Sequence, residues 1–104
     1  MTDPGAFPAP MRIVLAVSVA LMYFAGMPTV LRVGAYRFFF YSSDWHEPPH
    51  VHVERDLAKA KFWLGPVCLE RSNGFGPAEL NRVQRIVEEH VELLGRKWDE
   101  YFGR

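Results

Sequence analysis

The chain of 104 residues carries 12 lysines and arginines against 12 aspartates and glutamates, so its net charge is zero and no global field draws it to nucleic acid or a membrane surface. Hydrophobic residues make up 49% and aromatic residues 14%, which excludes a disordered tail and points to one small globular domain with a single modest core. The lone cysteine, Cys68, excludes an internal disulfide; its apolar surroundings suit a buried small hydrophobe in a cytoplasmic protein.

Residues 1–26 form an apolar extension. Within it Ile13 to Ala25 (IVLAVSVALMYFA) is uncharged and follows Arg12, in the manner of a signal-peptide core. The run is shorter than the roughly 20 apolar residues of a membrane helix, and Phe24-Ala25-Gly26 makes a poor cleavage site. Three readings stand: an upstream start codon with Met27 as the natural start, a short anchor, or an export signal. The last two would make the protein membrane-associated or exported.

Residues 27–104 form the domain. Thr29 to Val33 and Tyr36 to Tyr41 flank Gly34-Ala35 and read as a hairpin with an aromatic second strand. SSDWHEPP, residues 42–49, is a loop: the serines and Asp44 favour turns, and the proline pair extends the backbone. His46 to His50 (HEPPH) fits the H-E-x-x-H pattern of zinc proteases, but that pattern needs a helix to bring both histidines to one face. Pro48 and Pro49, at about 3 kcal/mol each inside a helix, exclude it.

His50 to Glu54 (HVHVE) and Ala58 to Leu64 (AKAKFWL) alternate with period two. Setting Arg55 opposite Ala58 pairs Glu54 with Lys59, His52 with Lys61 and His50 with Trp63 on a polar face, and Val53 with Ala60 and Val51 with Phe62 on an apolar one. A one-residue slip would put lysines opposite valines, so the register is well specified. Val67 to Glu70 adds a short strand, and residues 71–74 read as a turn. Gly76-Pro77 then opens one long helix with Leu80, Val83, Val87, Leu94 and Trp98 as its apolar stripe, widened by Ile86, Val91 and Phe102. Gly95 is the place where it would bend or end, and His90 lies on its apolar side as a core histidine. The expected fold is α+β: an antiparallel meander of four to five strands packed on this helix.

Three functions fit these residues. A zinc or other divalent metal could bind His50 and His52, which lie roughly 6.6 Å apart along a strand, with Glu54 or His46 as third ligand; the nearby Lys61 opposes a cation. RNA or another phosphate ester could be processed with His50 and His52 as acid and base, Lys61 and Arg37 as cations, and Tyr41 or Trp63 as a stacking platform. A protein-interaction module without cofactor would use Trp45, His46, Pro48 and Pro49 as a rigid partner loop, with Glu54, Trp63 and Tyr41 beside it and Thr29 to Val33 as an edge strand. The last asks least of the sequence and is preferred.

MPTVLRVGAYRFFFYSSD at 27–44, HEPPHVHVE at 46–54, AKFWL at 60–64 and LLGRKWDEY at 93–101 resemble the bacterial domain of unknown function 4160 family over residues 27–102. Its members start near MPTV, which favours Met27 as the natural start. The resemblance implies no established activity. It does imply an adjacent gene of the domain of unknown function 2442 family and a toxin-antitoxin-like pairing, hence a protein partner rather than a membrane for residues 27–104, with RNA the other candidate.

Overall fold

A computed structural model describes residues 27–103. The expectations for residues 1–26 lie outside this range. Five strands, β1 (Thr29–Val33), β2 (Tyr36–Phe39), β3 (His50–Arg55), β4 (Ala58–Leu64) and β5 (Val67–Asn73), form one antiparallel meander in sequence order. Two helices follow, α1 (Pro77–Glu89) and α2 (Val91–Phe102). No helix among the described residues is long and apolar enough to cross a membrane.

Alternation decides the faces. Phe38, Val51, Val53, Ala58, Ala60, Phe62 and Leu64 point to one side of the sheet and form the core with Phe40, Val83, Val87, Leu94 and Trp98. The β3–β4 register is the expected one at every pair from His50↔Trp63 to Arg55↔Ala58. Its turn places Asp56 at φ 55°, a left-handed position that aspartate tolerates, and leaves Leu57 exposed at the tip. At the end of β5, Gly74 has φ 96°, and a Cβ there would lie 2.9 Å from Ala58 Cα, so the chain needs glycine for both conformation and space.

Three expectations are corrected. The helical segment breaks at His90 (φ −114°, ψ 17°), while Gly95 sits inside α2. The His90 ring donates from Nδ1 to Ile86 O at 2.8 Å, a side-chain bond that competes for the last-turn carbonyls and favours the exit. The apolar stripe keeps its phase across the break, so Val83, Val87, Leu94 and Trp98 are all buried. Second, β5 runs on to Asn73 because a bulge opposite Lys61 and Phe62 absorbs Glu70. Third, Cys68 is exposed, since β5 is an edge strand.

Helix α1 is fixed to the sheet by a polar clamp. Arg55 donates to both oxygens of Glu79 at 2.6 and 2.8 Å, and Tyr36 OH donates to Glu79 Oε2 at 2.7 Å. These bonds, Arg55 first, hold the Glu79 carboxyl below its ordinary pKa.

Candidate functional site

The second face of the sheet is polar, and polarity alone would leave it to water. Instead, residues 42–49 fold over it through a 3-10 turn, Ser42–His46, and leave His50 fully buried and His52 8% exposed. Asp44 holds this turn down. Its Oδ2 accepts the Tyr41 N–H at 2.8 Å and His52 Nε2–H at 3.0 Å. Farther along the loop, Leu64 N–H donates to Pro49 O at 3.1 Å and anchors the proline pair to β4.

His50 meets the same carboxylate differently. Its Nδ1 lies 2.9 Å from Pro48 O, a group that can only accept, so Nδ1 carries the proton. Its Nε2 lies 3.0 Å from Asp44 Oδ2, a distance suited to an ion pair, but the direction is wrong for a hydrogen bond, and the buried nitrogen has no hydrogen-bond partner. Direction decides here, because a misaligned N–H loses most of its bond strength. The donor atoms of Asp44, His50 and His52 all lie within 4.8 Å of one another. Burial works hardest on the Asp44 carboxyl and would raise its pKa. Polar contacts from His50 and His52, with the Tyr41 N–H, together outweigh it and hold the group well below the usual carboxylate range.

Aromatic rings wall the cluster. Phe39 stacks on His52 at 5.4 Å, Tyr41 meets His52 edge-on at 4.6 Å, and Trp63 and Trp98 pack on His50 at 5.6 and 5.1 Å. Lys61 pairs with His52 in the expected register, and its ammonium donates to Glu47 Oε1 at 2.6 Å and lies 4.7 Å over the Trp63 ring. That bond is the main reason the Glu47 carboxyl sits below its ordinary pKa.

The structure thus brings together His50, His52, Tyr41, Trp63 and the Pro48 carbonyl. It leaves others elsewhere. Arg37 and Glu54 pair with each other at 3.0 Å, and Arg37 also bonds Thr29 Oγ1 and the Met27 carbonyl, so neither joins the histidines as cation or third ligand. His46 is exposed beside Trp45, itself 61% exposed, at the outer side of the turn. Asp44 is the residue that sequence reasoning missed, having assigned it only a turn. The available signal was an acid six residues before an H-x-H strand, in a loop whose prolines fold it back.

Two concavities border this region. A groove of about 630 Å³ runs between the proline pair, the β4–β5 turn and α2, lined by Pro48, Pro49, Trp63, Pro66, Cys68 and Val91, with Gly95 in its wall and Asp99 as its charged residue. A smaller pocket of about 370 Å³ is lined by Tyr41, His52, Lys59, Lys61, Arg71 and Asn73 and carries no carboxylate in its lining.

Fold and site define a small α+β domain in which a proline-bearing loop closes an Asp-His-His cluster against the polar face of a five-stranded meander. Residues 35–99 match the family described as Domain of unknown function (DUF4160), and the chain belongs to that family. No curated protein and no solved structure matches the chain.

Proposed function

We propose that the domain is a protein-interaction module, one half of a toxin-antitoxin-like gene pair, whose partner is the product of the adjacent gene. The observation that carries this reading is the 630 Å³ apolar groove, large for so small a body and within the range of specific ligand sites. Cys68 links it to β5, an edge strand that, among the described residues, pairs with no strand on its outer side. The occupant is an extended partner segment that adds to this edge, places a large apolar side chain between Pro48, Pro49 and Trp63, and sets a basic residue near Asp99.

Gly95 provides a test that leaves the fold intact. A Cβ there meets nothing within 4 Å, and replacing a helix-interior glycine gains roughly 0.5–1 kcal/mol of helix propensity. Gly95→Arg therefore fills the groove, within reach of Asp99 four residues on, and is expected to raise the melting temperature slightly. Co-purification with the adjacent gene's product is expected to fall at least tenfold. Unchanged co-purification, or none with the wild type at micromolar concentrations, rejects the reading.

A second reading, phosphate-ester or RNA binding, is favoured by the smaller pocket, where Lys59, Lys61 and Arg71 meet His52 and Tyr41. Lys59→Ala with Arg71→Ala removes two exposed cations. On this reading the double variant weakens RNA binding and flattens its salt dependence by up to about two charges; identical binding and slope dismiss it.

A further inference from the structure

The His50 side chain poses a problem of charge. Its Nδ1–H is held by the Pro48 carbonyl, while its Nε2, sealed from water, lies 3.0 Å from an Asp44 carboxylate oxygen and makes no hydrogen bond to it. A buried polar atom left without a partner is costly, and a cation placed between this nitrogen and the carboxylate oxygen would satisfy both. His52 Nε2 approaches the same oxygen at 3.0 Å from its own side, so three donor atoms converge on one point.

We propose that Asp44, His50 and His52 form a binding site for a divalent transition-metal ion of the zinc type. Two imidazole nitrogens and one carboxylate oxygen are the donor set such ions take, and three protein ligands leave a fourth position for water or a ligand atom. Zinc sits about 2.0–2.1 Å from such donors, which places tetrahedral ligands about 3.3 Å apart. Two of the three donor pairs already lie at 3.0 Å and the third lies within 4.8 Å, so side-chain rotation on the scale of 1 Å closes the site. The hydrogen bond from His50 Nδ1 to a backbone carbonyl is the outer contact that fixes the tautomer and orientation of a metal-bound imidazole. On binding, the ion replaces the hydrogen that His52 Nε2 now donates to Asp44, and the neutral ring carries its proton on Nδ1.

The ion joins the loop to the sheet, because Asp44 belongs to the 3-10 turn while both histidines belong to β3. Lys61, paired with His52 across β3 and β4, is neutralised by Glu47 and does not oppose it. His52 and Tyr41 also line the basic pocket, which brings that pocket to the edge of the metal site. This inference does not depend on the groove or its partner.

Full-length protein stripped with a chelator and titrated with zinc is expected to bind one equivalent and to melt at a higher temperature. Cobalt in its place is expected to give visible d–d absorption of a low-coordinate site. His52→Gln and Asp44→Asn are each expected to weaken zinc binding at least tenfold, while Glu54→Gln, which alters a carboxylate outside the cluster, leaves it unchanged. If either site variant fails to fold, the cobalt spectrum and stoichiometry of the wild type decide. Failure to retain zinc at one equivalent, absence of a melting shift with zinc, or equal affinity in His52→Gln and wild type each overturns the proposal.

Discussion

Trp98→Ala is expected to destabilise the domain by about 3–5 kcal/mol, the usual cost of truncating a buried aromatic residue to alanine. The ring is 1% exposed on α2 and packs on Phe40 at 5.2 Å, Phe102 at 4.3 Å and His50 at 5.1 Å, so it joins the helix layer to the sheet and to the candidate site at once. Small domains have about 5–15 kcal/mol in all, and this substitution removes a large share of it. Trp98→Phe is expected to be much milder. The indole Nε1–H has no hydrogen-bond partner, so phenylalanine deletes an unsatisfied donor along with part of the ring, and the two effects oppose each other. Urea unfolding followed by circular dichroism measures both, and equal losses for the two variants would show that a phenyl ring recovers none of the indole's packing and would reject this account.

How much of this was legible in the sequence depended on the range of the interaction. The β3–β4 hairpin could be read residue by residue because two short strands each alternate, and one register alone sets Val51 and Val53 against Phe62 and Ala60. A meander of four to five strands and the apolar stripe of the helices were legible for the same reason, periodicity being local. The break at His90 was not, since it carries neither glycine nor proline and arises from a ring bonding to Ile86 O. The closure of residues 42–49 over β3 was also hidden. Alternation marks His50, His52 and Glu54 as one polar face, but whether water or protein covers that face is a tertiary fact. The aromatic run of β2 hinted at it, because Phe39 and Tyr41 lie beside His52 and need cover of their own. The same limit misplaced Cys68, whose apolar neighbours say nothing of its standing on an edge strand.

Asp44→Ala is expected to cost about 2–4 kcal/mol in chelator-treated protein, where no metal contributes. One carboxylate oxygen serves the Tyr41 N–H that starts the 3-10 turn and the His52 Nε2–H of β3, and it also faces His50 Nε2. Removing it strands two donors in a buried place, each at about 1–3 kcal/mol, while relief of the carboxylate's own burial returns part of the loss. Asp44→Asn keeps an acceptor oxygen for the Tyr41 N–H but gives up the charge, so an intermediate loss is expected. Because the Asp44 contacts tie the turn to β3, the alanine variant should also expose residues 42–49 to limited proteolysis well before the domain unfolds. An unfolding free energy in urea within about 0.5 kcal/mol of wild type, with the loop still resistant, would mean that the Lys61–Glu47 bond and the Leu64–Pro49 bond hold the loop without Asp44. The cluster would then be a consequence of the closed loop rather than its cause.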